Sequence, residues 1–375
     1  MRNFLCRLLS VSAIAPFIAA PASADLYRHI MFRESPYAPY RGIHELDPNL
    51  SDEVAHFDFD HDEQGRLVAI THQMGDVVIA NNGNWDSFIW FAPQVRIAYG
   101  DNTETHTYFN ATGEQIHAHG RVWQARYTLD ADGRRVALAF FDEDGEPSEN
   151  AWNVHSYDWR PSDDGHIFER RYNLTGEMQP IRPVFHFYEV KLEYDTDGRI
   201  AFVRNYGTDH TPTNNDSGAG IDRITYDLDG NFVRWQVYDT QGNPVEGNRP
   251  MVHLGEHLYD DDGNKIGLRG FDRYGNEIPF ASGELYSLNE YDSRGFRTDY
   301  RTFNAQREQG MHLRYRFNEE TLRSEEIRAL SDDGRTVSHP ALGGAAIIRF
   351  GTDEHGARRM ERLNPDGSDF QPDTD

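Results

Sequence analysis

The chain has 375 residues, of which 62 are acidic and 37 basic, so its formal net charge is −25 at pH 7. Its 19 Tyr, 22 Phe and 6 Trp are too many for an intrinsically disordered protein. The negative charge argues against a nucleic-acid or anionic-membrane partner, which would need a basic surface. The single Cys excludes a disulfide scaffold and any multi-cysteine metal cluster.

Residues 1–24 form a predicted secretory signal peptide. It has two arginines near its start, an apolar run from Leu8 to Ala20, and an Ala-Ser-Ala cleavage pattern at 22–24. The apolar run is shorter than the roughly 20 residues that span a bilayer. Cleavage before Asp25 removes Cys6 and two of the 37 basic residues, leaving a cysteine-free chain of net charge −27 with no membrane span. We expect an acidic periplasmic or secreted protein.

Residues 25–105 carry few turn motifs, and we predict a diverged N-terminal β region there. It begins with an irregular lead-in segment, residues 31–50, which is rich in Pro, Tyr, Arg and His. The segment from His56 to Gly65 resembles a first, diverged copy of the repeat that follows. The sequence therefore predicts that regular architecture becomes established only after residue 105.

Residues 106–363 contain a tandem repeat. Its most visible feature is a Tyr-Asp pair, which occurs at Tyr157, Tyr194, Tyr226, Tyr238, Tyr259 and Tyr291. A Gly usually follows three residues after the Asp, and these glycines are separated alternately by about 12 and about 21 residues. The repeating unit is therefore about 32 residues long and contains two turns. The remaining segment, 364–375, is predicted to be an acidic mobile tail.

Each repeat motif predicts a tight turn between antiparallel strands. The Asp side chain at the first position accepts hydrogen bonds from the backbone that follows it. Gly at the fourth position adopts the left-handed conformation that closes a hairpin through a bulge. The short steps fit one strand each, and the long steps fit a loop followed by a return strand. The one helix-like stretch, residues 318–330, falls where a repeat turn is expected, so we favour strand there.

The predicted fold is therefore all-β, a meander of tandem antiparallel hairpins stacked in a solenoid-like sheet. The segments from Lys191 to Ile200 and from Arg223 to Phe232 resemble the YD (RHS-type) repeats of exported bacterial proteins. The resemblance is confined to the repeat turn and spans roughly residues 109–367. It implies hairpin repeats and export.

Several residue patterns suggest chemistry, each with a simpler alternative. The Asp-rich turns either bind calcium or are solvated turns, which we favour because one turn supplies too few oxygen ligands. The sequence His253-Leu-Gly-Glu-His257 has the spacing of a zinc-protease motif, but it lies on a predicted strand rather than on a helix. His117 and His119 would share one face of a strand and bind a metal weakly, or be ordinary polar residues.

An aromatic cluster in the N-terminal region has two interpretations. Trp85, Phe88, Trp90 and Phe91 either cap the first hairpin, which needs no ligand, or form an exposed sugar-binding platform. No catalytic residue, metal site or cofactor is predicted, and the sequence singles out no ligand-binding residue. We favour a non-catalytic exported binding or scaffold module for a protein or a cell-envelope carbohydrate. The alternative is an envelope polysaccharide hydrolase with an aromatic-lined N-terminal site.

Overall fold

A computed structural model of the chain describes residues 25–81, 90–352 and 358–371. The predicted signal peptide lies outside the described residues. Within them are 23 β-strands and two 3₁₀ helices, Pro48–Leu50 and Pro340–Leu342. The strands are β1 Asp25–Ile30, β2 Gly42–Glu45, β3 His56–His61, β4 Leu67–Met74, β5 Val77–Val78, β6 Gln94–Gly100, β7 Thr103–Phe109, β8 Gln124–Leu129, β9 Arg135–Phe141, β10 Ser156–Pro161, β11 Ile167–Tyr172, β12 Glu189–Tyr194, β13 Ile200–Tyr206, β14 Ile221–Tyr226, β15 Phe232–Tyr238, β16 Leu254–Tyr259, β17 Lys265–Phe271, β18 Tyr286–Tyr291, β19 Arg297–Phe303, β20 Gln309–Phe317, β21 Ser324–Ala329, β22 Ile347–Thr352 and β23 Arg358–Leu363.

The strands form one antiparallel sheet in nearly chain order, which confirms the predicted meander of hairpins. β1 lies between β2 and β3. β4 then pairs with both the short β5 and β6. From β6 onward each strand pairs with its neighbour in sequence as far as β23. The segment 318–330 forms a turn and β21, as the strand interpretation required.

The repeat glycines lie at turns, as predicted. In a typical copy, Asp227 Oδ1 accepts hydrogen bonds from the backbone N–H groups two and four residues later, at 3.0 and 2.8 Å. Gly230 closes the turn with φ of +91°, and a bulge precedes the turn. Where the repeat lacks its Gly, His210 and Arg307 adopt the same left-handed backbone, with φ of 65° and 62°. The turn geometry therefore persists where the glycine has been replaced, at a steric cost.

The sheet has two edges of different character. The turn edge carries the short connections within hairpins, such as those joining β12 to β13, β14 to β15, β16 to β17 and β18 to β19. The loop edge carries the long connections between hairpins, such as residues 207–220, 239–253 and 272–285. Loops on this second edge contact one another; Asn215 Nδ2, for example, donates to Asn248 Oδ1 at 2.9 Å.

Residues 25–55, here called the strap, run across the turn edge. Arg28 Nη1 donates to Asp262 Oδ1 at 2.7 Å, and His44 Nε2 lies 2.9 Å from Asn231 Oδ1. Arg41 Nη1 donates to the carbonyl of Asp197 at 2.9 Å. These three partners belong to three successive turns of the repeat. The strap therefore connects turns that are far apart in the sequence.

The sheet curls back toward its own beginning. The backbone N–H of Ala55, at the end of the strap, donates to the carbonyl of Arg294 in the turn between β18 and β19 at 2.9 Å. A buried apolar cluster joins Ile79, beside β5, to Phe296 and Leu322 from the later hairpins. Contacts of this kind bring the first hairpins beside the later ones.

The repeated tyrosines join neighbouring hairpins. Tyr259 Oη donates to the carbonyl of Phe232 at 3.0 Å, and Tyr291 Oη donates to the carbonyl of Lys265 at 3.2 Å. In each case the ring packs beside the preceding hairpin while its hydroxyl satisfies a backbone acceptor. The repeat tyrosine thus combines packing of its ring with a hydrogen bond from its hydroxyl group, which the sequence did not indicate.

No helix in the described part of the chain is both long and apolar enough to cross a membrane.

Candidate functional site

A cavity opens between the strap and the inner face of β14–β17. Its volume is about 280 Å³. The strap closes one side and two loops of the loop edge close another. Its lining includes Phe32, Glu34, Arg182, Asp222, Ile224, Phe232, Trp235, Asn248, Arg249 and His257. The cavity therefore needs both the strap and the repeats to form.

Pairing register places the cavity floor on one face of the sheet. Asp222 lies opposite Val237, and Ile224 lies opposite Trp235, in the β14–β15 pair. Residues directly opposite in an antiparallel pair share a face, so these four side chains point to the same side. Asp222 is the one ionisable group among these four, placed where the alternation of the strand predicts an apolar residue.

Trp235 forms an aromatic wall because its neighbour has no side chain. It lies opposite Gly255 in the β15–β16 pair. A Cβ atom on Gly255 would lie 2.0 Å from two atoms of the indole ring, a distance that real Cβ atoms do not reach. The ring therefore packs flat over Gly255, and this glycine serves close packing rather than a turn.

Two phenylalanine rings form a second aromatic wall. Phe32 of the strap stacks on Phe232 of β15, with ring centroids 4.5 Å apart and planes 21° from parallel. Phe232 also lies 6.2 Å from the ring of Trp235. The rings from the strap and the repeats thus form one continuous aromatic surface around the cavity.

Asp222 brings a carboxyl group into this apolar surface. Its Oδ1 atom is buried and has no hydrogen-bond partner among the described residues. Burial raises the pKa of the Asp222 carboxyl well above its ordinary value, and the charge of Glu34 raises it further, whereas Arg182 opposes the rise. A buried acceptor without a partner costs free energy, so this group favours binding a donor.

Glu34 and Arg182 form an ion pair at the side of the cavity. The Glu34 side chain is almost fully buried and the Arg182 side chain is one-third exposed. Burial raises the pKa of Glu34, although the charge of Arg182 and its hydrogen bond act in the opposite direction. The pair fixes a strap residue to the loop that follows β11.

His257 and Asn248 complete the polar lining. His257 Nδ1 lies 2.8 Å from the carbonyl of Phe232. Burial lowers the pKa of His257 well below its ordinary value, and the charge of Lys265 lowers it further, so the imidazole is neutral at pH 7. Asn248 Nδ2 is buried and makes no hydrogen bond with any described residue.

The zinc-protease spacing at His253 and His257 does not form a metal site. Both rings are on the inward face of the sheet, and their Nδ1 atoms lie 2.8 Å from backbone carbonyls of the preceding strand. Glu256 lies between them on the outward face and pairs with Arg234 and Arg269. A strand alternates its side chains, so the three groups of this motif cannot converge.

His117 and His119 do not lie on a strand, contrary to the sequence-based placement. Both belong to the loop between β7 and β8, and His119 has φ of 41°. His119 stacks on Trp90 with ring centroids 5.6 Å apart, and His117 lies against Trp123. The loop begins earlier than the alternation suggested, because the repeat turn at residues 110–114 ends the strand.

Trp90 is buried, with 4% of its surface exposed, and its Nε1 donates to Tyr108 Oη at 3.1 Å. This position fits the capping interpretation of the aromatic cluster. Trp85 and Phe88 lie outside the described residues. No group of three or more His, Cys, Asp or Glu side chains within the described ranges is arranged to hold a metal ion. The turn carboxylates instead accept backbone hydrogen bonds, as Asp260 does from residues 262 and 264.

The sequence analysis missed the cavity residues. Asp222 breaks the apolar alternation of β14, and Gly255 falls inside a strand rather than at a turn; both features are visible in the sequence. No comparable sequence signal identifies Phe32, Glu34 and Arg182, because these residues come together only when the strap crosses the repeats. Their proximity depends on tertiary contacts across about 150 residues.

Comparison with known proteins shows no relative in sequence. No protein-family model matches the chain, and no curated protein matches it.

Two solved structures are similar at the level of strands. The crystal structure of TcdB2-TccC3 is 12% identical, with a TM-score of 0.22, and the similarity covers 82% of this chain and 18% of that one. A porin-like protein from Bacteroides uniformis is 11% identical, with a TM-score of 0.23, covering 73% of this chain and 86% of the other. Both TM-scores are below 0.5, so neither structure supports an argument about function. The tandem antiparallel hairpin sheet is itself compatible with the YD-repeat resemblance.

Proposed function

We propose that the chain is an exported binding module without catalytic activity of its own, and that its cavity takes in part of a cell-envelope carbohydrate. The observation that carries this proposal is the cavity itself, with aromatic walls and a few convergent polar groups. Ligand sites in proteins commonly combine an apolar lining with a small number of such groups. The predicted signal peptide supports export.

The size of the cavity favours a small group over a protein segment. At about 280 Å³ it lies at or below the lower end of pockets that hold drug-sized ligands. One sugar ring, stacked on the faces of Trp235 or Phe32, fits such a space. Asp222 and Asn248 then supply hydrogen bonds to its polar substituents. A protein partner would instead have to bind outside the cavity.

A cavity-filling substitution tests this proposal. Ile224→Trp should fill the cavity and abolish retention on purified envelope glycans, whereas Leu228→Trp should retain full binding because Leu228 is fully exposed at a turn tip. Binding is measured by co-sedimentation with insoluble glycan and by a glycan array. If the wild type binds no glycan, or if Ile224→Trp binds as well as the wild type, the proposal fails.

The second candidate is an envelope polysaccharide hydrolase whose site is this cavity rather than the aromatic N-terminal cluster, because the cavity holds two carboxyl groups, Asp222 and Glu34. Glycosidases need two such groups, one of which acts as an acid. The raised pKa of Asp222 suits that acid role. Release of soluble sugar from the same glycans, lost in Asp222→Asn, would establish the hydrolase and exclude the non-catalytic module. Binding without product would exclude the hydrolase.

A further inference from the structure

We propose that the group bound inside this cavity is an organic cation, an ammonium group carried on a sugar or another ring, held between the Asp222 carboxylate and the aromatic walls. The proposal rests on the proposed function and specifies its ligand. A free amino sugar has this chemistry, and so does a simple arylalkylamine.

The first argument is the unsatisfied carboxyl oxygen. Asp222 Oδ1 is buried and lacks a hydrogen-bond partner among the described residues. An ammonium group supplies up to three N–H donors and also neutralises the carboxylate. A hydrogen bond between charged groups is roughly twice as strong as one between neutral groups. Of the groups that fit the cavity, a cation therefore satisfies best both the unpaired oxygen and the negative charge of the Asp222 carboxylate.

The second argument is the aromatic surface. Phe32, Phe232 and Trp235 line the same cavity as Asp222. The faces of aromatic rings carry partial negative charge and attract cations, most strongly when both are shielded from water. Sugar rings and apolar groups also stack on such faces, so the rings alone do not select charge. The combination of the rings with a buried carboxyl group does.

The third argument comes from the other charges that face the site. Arg182 is engaged by Glu34, so this pair contributes little net charge to the cavity. His257 is neutral at pH 7, and Arg249 is exposed to solvent, which screens its charge. Asp222 is thus the main uncompensated ionisable group. The net charge of −27 on the mature chain also attracts cations from solution.

Binding should depend on pH in a defined direction. The ammonium ligand favours ionised Asp222, whereas burial and the nearby Glu34 favour the protonated form in the empty cavity. Lowering the pH therefore makes the proton compete with the ligand. We expect affinity to rise as the pH increases and to level off above the pKa of Asp222. The pH is kept below that of amine deprotonation throughout.

The experiment is calorimetric titration of the mature chain with matched probes. Phenethylamine, 2-phenylethanol and 3-phenylpropionate offer similar rings with positive, zero and negative charge. Glucosamine and N-acetylglucosamine repeat the comparison on a sugar. We expect each amine to bind at least about tenfold more tightly than its neutral counterpart. Asp222→Asn should remove that preference, and Asp158→Asn, which removes an exposed carboxylate, should preserve it.

The outcomes separate this proposal from the proposed function. If the neutral and cationic probes bind equally, the ligand is not a cation. If Asp222→Asn keeps the preference for amines, Asp222 does not hold the cation, and either result overturns the proposal. Failure of every probe to bind also overturns the cation proposal, while glycan retention by the wild type and its loss in Ile224→Trp would leave the proposed function standing. Melting temperatures of all variants, measured without ligand, show whether each variant is folded.

Discussion

The two edges of the sheet use the same turn in different surroundings. At Gly198, Gly230 and Gly263 on the turn edge, an added Cβ atom would meet a strap residue. At Gly145, Gly242 and Gly275 on the loop edge, an added Cβ atom would meet nothing within 4 Å. The backbone is left-handed in both groups. The local sequence therefore determines the turn, and the strap determines which turns are buried.

This difference shows how a repeat array acquires a site. A row of identical hairpins offers the same surface at each step. Here one non-repeating segment covers several turns and contributes Phe32 and Glu34 to the cavity at β14–β17. The repeats form the walls, and the strap makes one part of the array unlike the rest. The cavity is therefore expected to depend on the strap remaining docked.

Breaking the buried network beneath the strap should have the largest effect. Arg171 and Glu169 are ion-paired with side chains only 1% and 3% exposed, and Glu169 also accepts hydrogen bonds from Trp159 and from Ser35 of the strap. Arg171→Leu leaves this carboxylate without its cation and should lower the free energy of unfolding by about 3–5 kcal/mol. Urea denaturation provides the measurement.

The control for that prediction is an ion pair outside the strap. Arg314→Leu removes an arginine whose side chain is 55% exposed and which pairs with Asp299 at 3.1 Å. Its cost should be below about 1 kcal/mol because exposed pairs contribute little. An equal decrease in the free energy of unfolding in the two variants would show that the buried network stabilises the fold no more than an exposed ion pair does.

A tyrosine pair compares the inner repeat packing with the open loop edge. Tyr259→Ala removes a half-buried ring and its hydrogen bond to Phe232, and should cost about 2–3 kcal/mol. Tyr274→Ala removes a ring that is 82% exposed at a loop-edge turn, and should cost less than about 0.5 kcal/mol. Thermal and urea unfolding test both. A cost below 0.5 kcal/mol for Tyr259→Ala would remove the packing role of the repeat tyrosine.

Acidification should weaken the region under the strap. Burial lowers the pKa of His72 to about 3, with the charges of His56 and His29 acting in the same direction. The unfolded chain therefore binds a proton below about pH 6.5 that the folded chain does not, so stability is lost as the pH falls from there toward 3. Between pH 8 and pH 5 the loss from this one group should be about 2 kcal/mol.

Urea denaturation across that pH range measures the loss. His72→Phe should show a shallower dependence on pH than the wild type, since the substituted ring can still stack on Phe57. An unchanged slope in His72→Phe would show that this histidine is not responsible.

The smallest expected effect comes from a matched pair of turn glycines. Gly230 and Gly242 have φ of +91° and +85°, so alanine is strained at both, by about 1 kcal/mol. At Gly230 the new methyl group would also lie 2.7 Å from Ile43 of the strap. Gly230→Ala should therefore cost about 1–2 kcal/mol more than Gly242→Ala. An equal decrease in the free energy of unfolding in both variants would mean that the strap does not contact this turn closely.

The sequence predicted the repeat and its turns because both are local. Asp227 and Gly230 form their turn through contacts within four residues, and the period of the glycines fixed the strand order. His210 and Arg307, which stand where the repeat has a glycine, also have left-handed backbone. These features need no knowledge of distant parts of the chain.

The candidate site could not be predicted in the same way. The strap segment 31–50 was interpreted only as an irregular lead-in, since its partners, such as Phe232 and Asp197, lie far along the sequence. Sheet curvature accumulates from small twists between strands, and the sequence does not specify where it brings segments together. Asp222 was not singled out, although the sequence shows it as a polar residue on an apolar strand face.

Docking of the strap across the turn edge is the central claim, and site-specific crosslinking tests it most directly. The one cysteine of the sequence is Cys6. In a chain expressed from residue 25, Arg28→Cys with Asp262→Cys therefore introduces a unique pair at the contact seen at 2.7 Å. Arg28→Cys with Tyr274→Cys is the control on the loop edge. We predict that a short bismaleimide joins positions 28 and 262 within one chain in high yield and leaves the control pair unjoined. No 28–262 crosslink, or equal yields from both pairs, would contradict the account.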